Sequence, residues 1–125
     1  MSPVAKILFV NDEQDLGELV RMLLEDRGHD VQVLIDASRA LEVTRREQPD
    51  LVILDWILDV VTGEAVIRQL RSDPQTARIP IALASAIVDL RRRAEHVDVC
   101  AALSKPYTGD ELHRIVELAL ESGTG

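Results

Sequence analysis

Acidic, hydroxyl and ammonium side chains follow short apolar runs at four places in the sequence. Asp12 follows the first run and Asp55 the third, Ser85 ends the fourth, and Lys105 follows the fifth. Two carboxylates held close together repel one another unless a cation lies between them or one of them takes up a proton. If the chain brings Asp12 and Asp55 together, these residues predict a metal site, and their oxygen ligands favour Mg²⁺ or Mn²⁺.

A metal site with an ammonium group opposite it suits the transfer of a phosphoryl group to a carboxylate. A phosphoryl group that moves onto an oxygen of Asp55 spreads negative charge over its equatorial oxygens, so positioning and charge neutralisation supply most of the catalysis. Lys105 and the metal would neutralise that charge, Ser85 would donate to a phosphoryl oxygen, and a backbone carbonyl after Asp55 would be a further metal ligand. Any one of these side chains alone is better interpreted as an ordinary solvated group, so the hypothesis depends on their convergence.

The apolar pattern predicts the elements that bring these residues together. Segments with helical periodicity separate the apolar runs, so short strands alternate strictly with helices. Strands that are apolar on both faces form parallel sheets covered by helices on both sides. We therefore predict an α/β fold of the (βα)5 type, with a doubly wound, parallel, five-stranded sheet and functional residues at the carboxyl ends of its strands. The predicted strands are Ile7 to Val10, Val31 to Ile35, Leu51 to Leu54, Ile81 to Ala84 and Val99 to Leu103.

Five helices are predicted between and after these strands. The first carries its apolar residues at helical spacing and ends at Gly28, and the last begins with a capping box formed by Thr108 and Glu111. Leu118 and Leu120 fall off the apolar stripe of the last helix, so they either face a partner or are isolated exposed leucines. The first stripe consists of Leu16, Leu19, Val20, Leu23 and Leu24, and further helices are predicted at Ala37 to Gln48, at Glu64 to Arg71 and around Val88 to His96.

Length, charge and cysteine count limit the class of protein. The 125 residues suit a single domain over positions 1–125. A formal net charge of -8 repels nucleic acid backbones and acidic lipids, so we expect neither direct nucleic acid binding nor membrane association. No apolar run approaches the ~20 residues that span a bilayer, and the first residues do not resemble a secretory signal, so we expect a cytoplasmic location. The single cysteine, Cys100, is expected to be a small buried side chain.

Four segments, ILFVNDE, PDLVILDW, PIALASA and ALSKPY, resemble in their order and spacing the receiver domains of two-component response regulators. The resemblance covers almost the whole chain and implies the flavodoxin-like strand order 2-1-3-4-5. Carried over by position, it makes Asp55 the phosphoacceptor, Asp12 a metal-ligating acid and Lys105 the partner of the phosphoryl group. It also makes Ser85 the switch residue and Ile57 a metal ligand through its backbone carbonyl.

The same resemblance implies a signalling domain rather than an enzyme, because a receiver catalyses only its own phosphorylation and dephosphorylation. Such domains accept phosphate from a sensor histidine kinase or a histidine phosphotransfer protein, and they signal by protein contacts in two-component and phosphorelay systems. The implied partners therefore include a downstream protein that receives the signal. Partners in the family often contact the face built from the predicted helix around Val88 to His96, the fifth strand and the last helix, and a homodimer could use the same face. Whether the chain is a single-domain regulator or a piece of a larger regulator or hybrid kinase is left open.

Three positions depart from the family pattern. Asn11 stands where the first acid of the pair is usual, Asp59 replaces a proline that is common in the loop after the acceptor, and Ala102 replaces an aromatic residue three positions before the lysine. We therefore expect weaker metal binding and no switch based on rotation of that ring. The alternative is a degenerate receiver that acts as a phosphorylation-independent interaction module. A flavin-binding electron carrier is disfavoured, because the segment NDEQD is acidic and aromatic residues are scarce.

Overall fold

Five parallel strands form one sheet in a computed structural model of the chain. The structure describes residues 4–54, 62–85, 99–104 and 108–123, and it describes the backbone alone at positions 85, 104, 122 and 123. The strands are Lys6–Val10 (β1), Asp30–Leu34 (β2), Leu51–Leu54 (β3), Ile81–Ser85 (β4) and Ala101–Ser104 (β5). Their order across the sheet is β2-β1-β3-β4-β5. The predicted α/β class and the strand order 2-1-3-4-5 are therefore confirmed.

Four α-helices lie within the described ranges, and each falls where a helix was predicted. They are Gln14–Glu25 (α1), Ala40–Glu47 (α2), Gly63–Ser72 (α3) and Gly109–Gly123 (α4). The predicted second helix begins instead as a 3-10 turn at Ala37–Arg39, because the carboxylate of Asp36 accepts the N–H of Ser38 at 3.1 Å and caps that turn. The helix predicted around Val88 to His96 lies outside the described residues.

The sheet is buried on both faces, as the near-continuous apolar strands predict. Alternate residues of each strand point to opposite sides, so the strands contribute to two separate cores. The core under α2 and α3 includes Leu8, Val10, Val52, Leu54, Leu83 and Leu70. The core under α1 and α4 includes Ile7, Phe9, Ile53, Ala84, Leu24 and Val116. This arrangement leaves the strand ends as the part of the sheet that helices do not cover.

Helix α1 packs on the sheet through the predicted stripe, except at Leu19. Val20 and Leu24 are buried, and Leu16 and Leu23 pack partly buried against the core, whereas Leu19 is 53% exposed. Gly17 is buried instead, and a Cβ atom at this position would lie 2.6 Å from Cγ1 of Val33 on β2. Because only glycine permits so close an approach, the helix turns the Gly17 side toward β2, and Leu19 points outward.

The C-terminal helix α4 is capped and packed as the sequence predicts. Thr108 Oγ1 accepts the N–H of Glu111 at 3.1 Å, and a carboxylate oxygen of Glu111 accepts the N–H of Thr108 at 3.2 Å. Leu118 is 40% exposed, while Leu120 is partly buried against the core. The buried stripe is Leu112, Ile115, Val116 and Ala119. In the described part of the chain, none of the helices has the length and apolar character that crossing a bilayer requires.

The prediction that Cys100 is buried is wrong, because its side chain is exposed. Its N–H donates to the carbonyl of Ile81 at 2.8 Å, so the backbone is tied to β4. The residue lies in the bend before β5, which is an edge strand of the described sheet, rather than within the strand. The predicted fifth strand therefore begins two residues later than expected, at Ala101.

Candidate functional site

The carboxyl ends of the strands that carry the predicted site lie side by side. Val10 is the register partner of Leu54, Leu54 is the partner of Leu83, and Ser85 is the partner of Ser104. In a parallel sheet all strands run in one direction, so these ends form one rim. The carboxyl ends of β1, β3, β4 and β5 therefore lie together, which is the arrangement of strands that the phosphorylation hypothesis requires.

The predicted site residues differ in how far the structure describes them. Asp12 lies in the turn between β1 and α1 and is partly exposed, and Ser85 is the last residue of β4, described as backbone. Asp55 follows directly after Leu54 in the sequence, but Asp55, Ile57 and Lys105 lie outside the described residues. The predicted roles of these residues remain predictions.

Asn11 makes hydrogen bonds at the rim that were not predicted from the sequence. Its side chain is fully buried, and its Oδ1 accepts the N–H of Glu13 at 2.7 Å. Its own N–H donates to the carbonyl of Leu34 at 3.1 Å, which continues the bonding between β1 and β2 by one residue. Asparagine commonly bonds to the backbone two residues further on, so the residue type offered a weak signal for this turn.

The rim after β1 is acidic. Asp12, Glu13 and Asp15 lie within four consecutive residues, and none of them takes part in an ion pair within the described ranges. Asp15 lies in the first turn of α1, where the helix dipole favours negative charge. Several carboxylates without an ion pair among the described residues favour a negative potential here, which attracts cations.

The donor atoms at this rim suit a hard divalent cation in kind. Carboxylate oxygens are the ligands that Mg²⁺ and Mn²⁺ prefer, and partly exposed Asp12 leaves room for coordinated water. Among the residues that the structure describes, no three acidic, histidine or cysteine side chains cluster closely enough to hold a metal. The second predicted carboxylate ligand, Asp55, lies outside those ranges, so Asp12 is the described member of the predicted set.

Two histidines lie away from this rim, near the amino ends of β1 and β2. Nδ1 of His29 accepts the N–H of Ala5 at 3.0 Å, so this nitrogen carries no proton. Burial lowers the pKa of His29, and His113 and Arg27 lower it further by repulsion. Burial, followed by Arg27, also lowers the pKa of His113, although the nearby acids Asp110, Glu117 and Asp26 oppose this. Both histidines therefore favour the neutral form in the folded protein.

Comparison with known proteins assigns a family to this arrangement. The model of the response regulator receiver domain matches residues 7–117. The phosphate regulon transcriptional regulatory protein PhoB of Rhizobium meliloti is 34% identical over 117 residues, which are 92% of this chain and 52% of PhoB. The DNA-binding dual master transcriptional regulator RpaA of Synechocystis sp. is 33% identical over 109 residues, which are 86% of this chain and 45% of RpaA. The chain thus spans about half the length of these two relatives.

A solved structure shows the same architecture. The crystal structure of NtrX from Brucella abortus in complex with ADP matches with a TM-score of 0.88 and 29% sequence identity. The match covers 98% of this chain and 28% of the NtrX chain. The similarity therefore extends over nearly all of this chain and over one part of a longer protein.

Proposed function

The chain belongs to the response regulator receiver domain family, and we propose that Asp55 is the residue through which it takes part in that family's phosphorylation-activated signalling. The observation that carries the proposal is the strand register. Asp55 follows Leu54, which pairs with Val10 on β1 just before the acidic turn that contains Asp12. Four strand ends at one rim supply the residue types that phosphoryl transfer to a carboxylate needs.

The proposed reaction moves a phosphoryl group from a phosphohistidine to an oxygen of Asp55. The new P–O bond forms as the P–N bond breaks, and the imidazole of the donor keeps the electron pair of that bond. The ammonium of Lys105 neutralises charge on the equatorial oxygens, and the hydroxyl of Ser85 donates a hydrogen bond to one of them. The donor that this chemistry needs is a sensor histidine kinase or a histidine phosphotransfer protein.

Asp12, Asp55 and the backbone carbonyl of Ile57 would hold Mg²⁺ or Mn²⁺ at this site. When bound, the cation supplies positive charge that offsets the charge of the carboxylates and of the phosphoryl oxygens. The acids after β1 support this assignment, since none of them has an ion pair within the described part of the chain and their charges attract a cation.

We propose that the output of the domain is a change in protein contacts, with no reaction catalysed beyond its own phosphorylation and dephosphorylation. PhoB and RpaA are named as transcriptional regulators, RpaA as DNA-binding, but this chain corresponds to about half of each. The net charge of -8 supports the proposal that the chain itself does not contact nucleic acid. The proposed partner of the face to which β5 and α4 contribute is a downstream protein or a second copy of the chain. The proposed location is the cytoplasm.

A degenerate receiver that acts without phosphorylation is the second candidate, and Asn11 favours it, since a buried amide stands where an acid is usual. Incubation with acetyl phosphate and Mg²⁺, followed by measurement of the intact mass, separates the two candidates. The proposed function predicts that the protein gains one phosphoryl group and that Asp55→Asn abolishes the gain. Asp59→Asn is the matched control, because it removes an acid of the same loop and should leave the gain in place. A wild-type protein that gains no mass would support the degenerate receiver instead.

A further inference from the structure

The turn that presents Asp12 is fixed by hydrogen bonds that Asn11 makes on both sides. The amide oxygen of Asn11 accepts the N–H of Glu13 at 2.7 Å, and the backbone N–H of Asn11 donates to Leu34 at 3.1 Å. Asp12 lies between these anchors, so its backbone is held from the residue before it and the residue after it. Glu13 is the N-cap of α1, yet its own side chain makes no capping hydrogen bond. The side chain of Asn11 thus ties the N-cap residue of α1 to the end of β1.

The chemistry of an amide limits what else Asn11 can do at this rim. A carboxamide has one oxygen, and its nitrogen carries two protons and cannot bind a cation. One of the two lone pairs of that oxygen accepts the N–H of Glu13, and the side chain is fully buried, so it has little capacity left to bind a cation at the exposed rim. An aspartate at the same position would have two oxygens, so that one could keep the Glu13 bond while the other faced a cation or its water. It would also add a negative charge beside Asp12.

We propose that Asn11 is a positioning residue for the cation site rather than one of its ligands, and that it sets the affinity of that site in two opposing ways. It raises the affinity for the cation by holding Asp12 in place. It also keeps that affinity below the value that a site with aspartate at position 11 would have, because the amide supplies no negative charge. This inference rests on the proposed function, because it assumes that a divalent cation binds beside Asp12. Groups that orient metal ligands through hydrogen bonds commonly change metal affinity when they are removed.

Three variants test the inference with Mg²⁺ as the probe. Asn11→Ala removes the hydrogen bond to Glu13, and Asn11→Asp keeps an acceptor and adds charge. Thr76→Ala is the matched control, since Thr76 is also fully buried and its Oγ1 donates to the carbonyl of Leu70 at 2.6 Å, but it precedes β4 at the opposite end of the sheet. Mg²⁺ affinity is measured by the fluorescence of Trp56, the single tryptophan of the chain, and by the shift of the melting temperature with Mg²⁺ concentration.

Asn11→Ala should weaken Mg²⁺ binding by about tenfold or more. Thr76→Ala should lower the melting temperature without changing the affinity for Mg²⁺. Asn11→Asp should tighten Mg²⁺ binding by about tenfold. The attraction between one added negative charge and a nearby divalent cation changes the binding constant by about that factor even at the dielectric constant of water. Without Mg²⁺ the melting temperature of Asn11→Asp should be lower than that of the wild type, because the added carboxylate repels the neighbouring ones. Added Mg²⁺ should reverse this difference in melting temperature.

The outcomes distinguish this inference from the proposed function. If the wild type binds Mg²⁺ and Asn11→Ala binds it equally well, the positioning role is overturned while the proposed function stands. If Asn11→Asp binds Mg²⁺ no more tightly than the wild type, the second effect is overturned. A wild-type protein that shows no response to Mg²⁺ in either measurement and gains no phosphoryl group overturns both.

Discussion

Replacing Gly17 by alanine tests the packing that holds α1, and with it the acidic turn before α1, against β2. In an exposed helix interior this change would stabilise the protein by about 1 kcal/mol, because alanine is the better helix former. Here the new Cβ would lie 2.6 Å from Cγ1 of Val33, while ordinary contacts begin near 3.4 Å. The Val33 side chain or the helix must therefore move by most of an ångström.

Overpacking of this kind lowers the free energy of unfolding by about 1–3 kcal/mol. This loss is at least as large as the stability that the helix propensity of alanine adds. Val33 is partly exposed on an edge strand, so some of the strain can relax by movement of its side chain. We therefore expect Gly17→Ala to lower the free energy of unfolding by about 1 kcal/mol, in the lower part of that range. Urea denaturation followed by far-ultraviolet circular dichroism measures the change.

Two further variants show whether the contact with Val33 is the cause. Gly109→Ala adds the same methyl group at a helix start where the nearest atom, Cδ2 of Leu23, is 3.8 Å away, so it should not destabilise the protein. Val33→Ala shortens the side chain that Gly17→Ala meets, so the double variant should be more stable than the two separate effects predict, by about 1 kcal/mol. A Gly17→Ala protein that is more stable than the wild type, or a double variant without coupling, would refute the proposed packing of α1.

Two other predictions concern stability. Burial lowers the pKa of His29 and of His113 below the ordinary value of 6.5, so the unfolded chain binds protons at a higher pH than the folded protein does. The stability that the two neutral histidines contribute is therefore fully present above about pH 6.5, and it falls as the pH drops toward the folded pKa values. His29→Asn, whose Oδ1 can accept the Ala5 N–H in place of Nδ1, should reduce this slope in urea denaturation between about pH 7.5 and 5.5, and an unchanged slope would contradict the cause. Thr44 is fully buried and its Oγ1 has no hydrogen-bond partner within the described residues. Thr44→Val should therefore raise the free energy of unfolding by about 1 kcal/mol, while a loss of stability would indicate that the hydroxyl has a partner.

The strands were predictable because the relevant signals are local or general. A run such as Leu51–Leu54 is apolar on both faces, and this predicts a strand inside a parallel sheet wherever it lies in the chain. The capping box at Thr108 is complete within four residues, and the structure confirms it. The family resemblance supplied the strand order, which periodicity alone does not determine.

Other features depend on contacts that no local pattern encodes. The burial of Gly17 in place of Leu19 follows from the approach of Gly17 to Val33, which are sixteen positions apart in sequence and belong to different elements. The exposure of Cys100 depends on where β5 begins to pair with β4, and the sequence shows only an apolar run. The prediction for Asn11 considered the acid that it replaces and the weaker metal binding that results, whereas the structure shows that its oxygen accepts the N–H of Glu13.

The identity of the phosphorylated residue tests the central claim most directly. After incubation with acetyl phosphate and Mg²⁺, reduction with borohydride converts an aspartyl phosphate into a stable alcohol, and peptide mass spectrometry then locates the modified residue. We predict modification at Asp55 and at no other acid, with none when Mg²⁺ is removed by a chelator. Modification at a different carboxylate, or none in the presence of Mg²⁺, would contradict the assignment of Asp55 as the phosphoacceptor.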